Sequence, residues 1–239
     1  MTDALYNDPA LAALYDWDNP WPADFDWFAG LVDGAGSLLD LGCGTGIFSA
    51  AICARGARVL GVDPAGAMLD IARARQAPVV WVEAAAQGLN LGQRFDAVVM
   101  TGHAFQTLLT EADRAAALAT IARHLAPGGR FFFDSRNPEA REWDSWTPEG
   151  CERLAHPEFG MVERWTDAEA TAVPGVIEYQ THYVLADGRH LQAQSRIAFP
   201  GFEALSAAGL RVDRWYGDAA GGPLRAGCLD FIPVSGLAC

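Results

Sequence analysis

Three glycines at alternate positions follow a short apolar run in the stretch LLDLGCGTG, residues 38–46. The run predicts a buried strand, and the apolar residues from Ile47 onward predict a helix, so the glycines lie in a strand-to-helix turn. Positions without side chains let a turn tighten and let a ligand lie against the backbone. The stretch therefore indicates a ligand-binding turn.

Asp63 ends the next apolar run, LGVD, with a carboxylate. A carboxylate can accept hydrogen bonds from two adjacent hydroxyls at once, which neutral side chains do less well. Nicotinamide-binding Rossmann domains also use an acidic residue here, but their fingerprint needs a glycine at the fifth place after the first. Counted from Gly42, that place holds Ile47. The spacing argues against a dehydrogenase.

The ordered pattern over residues 38–129 resembles the class I S-adenosylmethionine (SAM) dependent methyltransferases. In that family the glycine turn wraps the methionine portion of SAM, an acidic residue before it helps to place the amino end, and a carboxylate after the second strand accepts both ribose hydroxyls. The resemblance therefore implies S-adenosyl-L-methionine as cofactor. The residues that it assigns to this cofactor are Asp40, Gly42, Gly44, Gly46 and Asp63.

The adenine contact departs from the family pattern. Relatives commonly have an acidic residue after the third strand, whereas this sequence has Ala85 at that place. We expect backbone groups of Ala85 and Ala86, or the side chain of Gln87, to bind the adenine edge instead, because Glu83 lies too early in the turn.

Three more residues are implied to lie near the cofactor. Tyr15 precedes the first strand, in a segment that folds over SAM in many small-molecule members or merely covers the sheet. Thr101 follows the fourth strand, beside the family's position for the transferable methyl group. Its neighbour His103 could accept a proton from an amine or hydroxyl, because an imidazole titrates near neutral pH. The alternative is that His103 only packs or orients a loop.

Substrate contacts are predicted at Gln106, Arg136 and Trp143. Arg136 follows the fifth strand, where its guanidinium could bind a substrate carboxylate or belong to a structural turn. Tryptophans could form a wall near a sulfonium or a cationic substrate by cation–π attraction, or simply pack. Those that could form the wall are Trp143, Trp146, Trp165 and Trp215.

Short apolar runs alternate with Ala-rich stretches from residue 37 to residue 134, which is typical of strands buried on both faces and joined by crossover helices. The predicted strands are residues 37–41, 58–62, 79–82, 97–100 and 130–133. A helix is predicted over residues 111–125, with a capping box at Thr110 and Asp113 and an end imposed by Gly128 and Gly129. Ligands should bind at the carboxyl ends of the strands.

These elements predict one α/β domain over residues 1–239, with a doubly wound, Rossmann-like seven-stranded sheet whose last strand is antiparallel. Residues 1–36 predict a helical cover. Residues 160–200 predict an antiparallel β insertion that serves as a lid, with three extended segments between residues 161 and 199. A short helix ending at Gly209 and strands at residues 210–216 and 228–234 complete the fold.

Composition limits the partners. A net charge of −13 repels phosphate backbones and anionic membranes, so we expect a small-molecule substrate, no nucleic acid and no membrane partner. The five cysteines form no CxxC pair, which predicts no metal site and a reducing, cytoplasmic location. Neither a signal peptide nor an apolar run long enough to cross a membrane is evident. The assembly is expected to be a monomer or a homodimer.

The sequence thus predicts a SAM-dependent methyltransferase acting on N or O of a small molecule, with His103 as the base. Two alternatives stay open: a SAM-binding enzyme of another reaction type, such as intramolecular displacement, and a non-catalytic SAM-binding protein.

Overall fold

The computed structural model describes residues 3–20, 23–201 and 210–235. The helices are α1 (Ala4–Asn7), α2 (Pro9–Asp18), α3 (Ala23–Leu31), α4 (Ile47–Ala54), α5 (Gly66–Ala74) and α6 (Glu111–His124). The strands before the lid are β1 (Ser37–Leu41), β2 (Arg58–Asp63), β3 (Val80–Glu83), β4 (Phe95–Met100), β5 (Leu125–Phe133) and β6 (Ser135–Arg136). The remaining strands are β7 (Glu152–His156), β8 (Gly160–Ala170), β9 (Val176–Val184), β10 (His190–Ala198), β11 (Arg214–Tyr216) and β12 (Asp230–Val234).

The main sheet has the strand order β3-β2-β1-β4-β5-β12-β11, and the short β6 also pairs with β12. Strands β1 to β5 run parallel, whereas β12 is antiparallel to both of its neighbours. This confirms the predicted Rossmann-like seven-stranded sheet with an antiparallel last strand. The order reverses beside β1, so the carboxyl ends of β1 and β4 diverge there and leave room for a ligand.

Burial explains why the central strands read as continuous apolar runs. All five residues of β1 are buried, and in β4 only Asp96 is exposed. Helices cover both faces of such a sheet, so neither face needs alternating polar residues. The first five predicted strands all form, with ends that differ by up to five residues.

The boundary between α6 and β5 differs from the prediction. Gly128 and Gly129 do not end the helix; α6 stops at His124, and β5 begins at Leu125, which pairs with Phe95. The two glycines lie within β5, next to an irregularity in its pairing with β4. Glycine in a strand often marks such a bulge. In the sequence, the same two glycines after a helical pattern are also typical of a helix end, so the two cases look alike.

The insertion is a separate antiparallel sheet of order β10-β9-β8-β7. We call it the lid sheet, residues 152–198. It begins earlier than the predicted residue 160, because Glu152–His156 pairs with β8 as a fourth strand. Most of β7 is exposed and lacks alternation, so its sequence carries no strand pattern.

The N-terminal helices join the lid sheet to the rest of the protein. Leu5, Leu11 and Leu14 share one apolar cluster with Val162 and Tyr183 of the lid sheet. Helix α2 also packs on α5, through the cluster containing Ala12 and Met68. The predicted helical cover therefore has contacts on both sides.

Two predictions near the C-terminus have partial outcomes. The helix ending at Gly209 lies outside the described residues. The strand predicted at 210–216 is limited to Arg214–Tyr216, which pairs with β12 as an edge strand. In the described part of the chain, no helix is both long and apolar enough to span a membrane.

Candidate functional site

The glycine turn connects β1 to α4 at the carboxyl edge of the main sheet. The backbone N–H groups of Gly42 and Cys43 donate to the carbonyl of Val62, at 2.7 and 3.0 Å, which fastens the turn to β2. A Cβ at Gly42 would lie 2.7 Å from that of Ala104, so a larger residue has no room. Gly46, which precedes α4, packs against Trp81 in the same way.

Gly44 differs from the other two glycines of the turn. Its φ is +53°, and a Cβ built on it would meet no atom within 4 Å. The backbone at Gly44 therefore borders open space, as expected where a ligand lies against the chain.

Asp40 is buried directly beneath this turn. Its Oδ2 accepts a hydrogen bond of 2.7 Å from the Ser49 hydroxyl, whereas its buried Oδ1 has no partner. The pKa of Asp40 is raised to about 7, mainly by burial; the hydrogen bond from Ser49 opposes this rise, and the nearby Asp63 adds to it. Because an orphaned buried oxygen is costly, Asp40 has unused capacity to accept a hydrogen bond.

Asp63 lies at the end of β2, 7% exposed. Its two carboxylate oxygens accept hydrogen bonds of 2.8 Å from the backbone N–H groups of Gly44 and Ala65. Burial raises its pKa, while these two bonds act in the opposite direction. Each oxygen still has a lone pair for a hydroxyl donor, so Asp63 can both shape the turn and bind a diol.

The loop after β3 has the residues predicted for the adenine edge. Ala85 is exposed, and Ala86 is buried in the main core. Gln87 Nε2 donates one of its two N–H groups to Asp113 at the start of α6, at 3.2 Å. This bond leaves the second N–H group and Oε1, so the Gln87 side chain stays a candidate beside the backbone groups.

Tyr15 lies on α2, which covers the glycine turn. Its ring meets Tyr6 edge to face at 6.1 Å, and burial raises the pKa of its hydroxyl. The adjacent Asp16 accepts a hydrogen bond of 2.5 Å from the Thr45 hydroxyl and also pairs with Arg75. Sequence reasoning missed both Asp16 and Arg75 as contacts of this turn.

After β4, Thr101 is buried and His103 has the strained left-handed backbone, with a φ of +59°. The His103 backbone N–H donates to Asp134 Oδ2 at 2.9 Å. Its ring Nε2 lies 3.1 Å from Asp230 Oδ1 and 3.4 Å from Asp134 Oδ2. Asp230 was not predicted, because it lies far from His103 in the sequence and only the pairing of β12 with the strands after β4 brings the two side chains together.

Two of the predicted substrate residues differ from expectation. Gln106 has no exposed surface: Nε2 donates to the Ala198 carbonyl at 2.9 Å, and Oε1 accepts from Arg136 Nη1 at 3.0 Å. Since both ends of its amide bind protein groups, Gln106 orients Arg136 rather than meeting a ligand. Arg136 also pairs with Glu142 at 2.9 Å and lies over Trp146, so a substrate carboxylate would have to compete with Glu142.

The predicted tryptophan wall does not form as a unit. Trp143 packs edge-on against Phe199 and borders an open groove of about 340 Å³ beside the turn between β8 and β9. Trp165 stacks on His182, on the face of the lid sheet opposite to Val162, and Trp215 packs on the main core. Sequence spacing could not show which sheet face each ring occupies.

These groups fit SAM, whose ammonium and sulfonium groups are cationic and whose ribose presents a diol. The orphaned Asp40 oxygen, the open space at Gly44 and the Asp63 carboxylate lie at the ends of adjacent strands β1 and β2. Acidic groups suit a cation.

Comparison with known proteins gives an independent result. Residues 38–129 match a family model described as a methyltransferase domain. A Streptomyces protein named cypemycin N-terminal methyltransferase is 38% identical over 104 residues, which cover 43% of this chain and 42% of that protein. The chain thus matches less than half of the length of this curated relative.

Solved structures match over nearly the whole chain. The sugar N-methyltransferase KedS8 from Streptoalloteichus is 25% identical with a TM-score of 0.74, covering 98% of this chain and 95% of that one. SAM-bound CalS10, an amino pentose methyltransferase from Micromonospora echinaspora, is 26% identical with a TM-score of 0.68, covering 98% and 99%. These likenesses include the lid sheet, which the family model does not reach.

Proposed function

We propose that this chain transfers the methyl group of SAM to a nitrogen or oxygen of a small molecule, since residues 38–129 match a methyltransferase-domain model. The observation that carries the proposal is the placement of the acidic SAM-type turn and the His103 imidazole at the ends of neighbouring strands β1 and β4. Methyl donor and proton acceptor would then meet at one edge of the sheet.

Within this proposal, SAM supplies an electrophilic methyl group when bound. The backbone at Gly44 and the carboxylates of Asp40 and Asp63 would hold the cofactor, through the open space at Gly44, the unpartnered Asp40 oxygen and the remaining lone pairs of Asp63. Tyr15 covers it from α2, and Thr101 borders the acceptor side. In-line displacement at a methyl carbon asks mainly for alignment and a site with little water, so most of these residues align and enclose.

Two features support a small-molecule substrate. The lid sheet and α2 pack together beside the carboxyl edge of the main sheet, an arrangement that suits the enclosure of a small ligand. The net charge of −13 disfavours a nucleic acid. The names of the three relatives above specify an N-terminus, a sugar nitrogen and an amino pentose, which supports nitrogen as an acceptor atom beside oxygen.

The test of cofactor binding is the Asp63→Ala variant. Its loss of a charged acceptor should weaken SAM and S-adenosylhomocysteine binding by about 1.5–3 kcal/mol, roughly 10- to 100-fold in Kd. Isothermal titration calorimetry on folded protein measures this. Asp70→Asn, which removes a charge from the exposed pair with Arg73, is the control and should bind normally.

Turnover identifies the reaction. The protein is incubated with SAM and a panel of amino sugars, amines and phenols. Mass spectrometry should show S-adenosylhomocysteine and a product about 14 Da heavier than its acceptor. Unchanged SAM affinity in Asp63→Ala would remove that residue from the site. Tight SAM binding without any methylated product would favour the sensor or the intramolecular displacement alternative.

A further inference from the structure

His103 presents its two ring nitrogens to different surroundings. Nε2 faces two carboxylates, Asp230 Oδ1 at 3.1 Å and Asp134 Oδ2 at 3.4 Å. Among the described residues, no hydrogen bond or ion pair to Nδ1 is present, and the side chain is 24% exposed. The ring is therefore bound by the protein at one nitrogen and open at the other.

The carboxylates themselves are fixed by the fold. Asp134 is buried and also accepts the His103 backbone N–H, which secures the left-handed turn at His103. Asp230 begins β12, and its backbone N–H donates to the Gly217 carbonyl at 3.1 Å. Strain at a non-glycine residue persists only where surrounding contacts impose it, and it is concentrated at functional sites.

We infer that Asp230 is a positioning residue that holds His103 with its proton on Nε2, so that Nδ1 accepts a proton from an acceptor amine that arrives as an ammonium ion. The inference rests on the proposed function and specifies its substrate class. A carboxylate that accepts from one imidazole nitrogen selects the tautomer and stabilises the imidazolium that forms, as in catalytic triads.

The proton and electron balance is complete without another reactant. Nδ1 takes one proton from the ammonium group, leaving a neutral amine and an imidazolium beside two carboxylates. The amine lone pair then forms the new C–N bond while the bond from the methyl carbon to sulfur breaks, and its electrons stay on the sulfur of S-adenosylhomocysteine. The methylated amine remains protonated, and His103 returns its proton to solvent through its exposed edge.

The charges around His103 favour a cation. Asp134 after β5 and Asp230 on β12 face the ring, and the guanidinium that acts on Asp134 is that of Arg136 on β6, which is paired with Glu142. Burial raises the pKa of Asp134, and the neighbouring His103 opposes that rise. An ammonium ion gains from both carboxylates, whereas a neutral hydroxyl gains less.

The first experiment reads the tautomer directly, with no cofactor or substrate. Protein labelled with ¹⁵N-histidine is examined by long-range ¹H–¹⁵N NMR correlation at a pH where the ring is neutral, and His103→Gln identifies the His103 signals among those of the five histidines. The expected pattern is a protonated Nε2 and an unprotonated Nδ1. The opposite tautomer in the wild-type protein would overturn the inference.

The second experiment compares Asp230→Asn, Asp230→Glu and the surface control Asp70→Asn as full-length proteins. Asp230→Asn should lower kcat about 10- to 100-fold, the usual effect of removing an outer partner that orients an imidazole. Its acidic limb in the plot of kcat/KM against pH should shift to lower pH, because the imidazolium loses a stabilising charge. Asp230→Glu should restore part of kcat, and SAM affinity should stay within about twofold of wild type in all three.

An unchanged kcat and pH profile in a folded Asp230→Asn protein would refute the positioning role. Rates that are equal for amines and for phenols of similar size would refute the ammonium assignment. Failure of the proposed function can be told apart from failure of this inference. In that case the wild-type protein would methylate none of the acceptors, while the NMR experiment would still report on the His103–Asp230 contact.

Discussion

Asp40 is a buried carboxylate with one oxygen bound to Ser49 and the other without a partner. Its pKa, raised to about 7 by burial, means that the protein without cofactor holds it protonated below that pH. A folded-state pKa above the unfolded value favours folding at low pH, and this contribution is lost as the pH rises through about 7. The residue is tolerated here because a cationic ligand can compensate it.

We therefore expect SAM binding to release a proton from Asp40. The ammonium group of SAM stabilises the carboxylate and lowers its pKa, so binding near pH 6 should release up to about one proton, and at pH 8.5 almost none. Calorimetry in buffers of different ionisation enthalpy counts the protons. Asp40→Asn should abolish the release at pH 6; an equal count in this variant would place the ammonium elsewhere.

The sequence is informative about individual residues where one strand and its turn contain the whole pattern. Asp40, Gly44 and Asp63 lie close together because all three lie at or near the carboxyl ends of β1 and β2, the adjacent strands of one βαβ unit. Asp230 meets His103 across 127 positions, and only the antiparallel pairing of β12 brings it there. Nor does spacing show that Gln106 faces inward, since burial depends on the lid sheet that binds it.

Helix α2 is the element that connects the glycine turn with the lid sheet. Asp16 contacts Thr45 and Arg75, on the side of the glycine turn. Two residues later, Asp18 accepts the Tyr183 hydroxyl at 2.7 Å and pairs with Arg164 of the lid sheet at 2.6 Å. One helical turn thus contacts both parts of the site, so its position should depend on both.

Loosening α2 at Asp16 should weaken cofactor binding. In Asp16→Asn the pair with Arg75 loses its charge, and because both side chains are partly exposed the cost should be about 1 kcal/mol or less, up to roughly a fivefold higher Kd for SAM. Stopped-flow fluorescence should show faster SAM dissociation. Asp33→Asn, in an exposed pair 3.9 Å from Arg55, is the control and should change nothing; equal rates in both variants would contradict a role for α2 in retention.

A helix or strand could be predicted where its burial produces a recognisable pattern of apolar residues in the sequence. The central strands are buried on both faces and have clear apolar runs, whereas β7 is a mostly exposed edge strand and was missed. The start of β5 was missed because Gly128 and Gly129 serve equally well as a helix stop and as part of an irregular strand. The start of β5 is decided by its pairing with Phe95, which is distant in sequence, and β7 is decided by its pairing with β8.

The main sheet and the lid sheet have separate apolar clusters, and α1 and α2 pack on the lid sheet through one of them. Leu5, Leu11 and Leu14 would be exposed without Val162, Tyr183, Leu185 and Ala193 of the lid sheet. The main sheet has its own core, which does not include these residues. The cofactor domain is therefore expected to fold without the lid, but with a less stable N-terminal cover.

Replacing the lid sheet, residues 152–198, by a short Gly-Ser linker should separate binding from turnover. The main core keeps Asp40, Gly44 and Asp63 in place, so SAM should still bind, roughly tenfold more weakly because α2 loses its contacts with Tyr183 and Arg164. Methyl transfer to small amines should be abolished, since the acceptor loses its enclosure and water enters the site.

Val173→Ser, at the exposed turn between β8 and β9, keeps the lid and should retain activity. Calorimetry and product mass measure the two effects, and full activity of the deletion on a protein or RNA substrate would show that the lid sheet does not select small molecules.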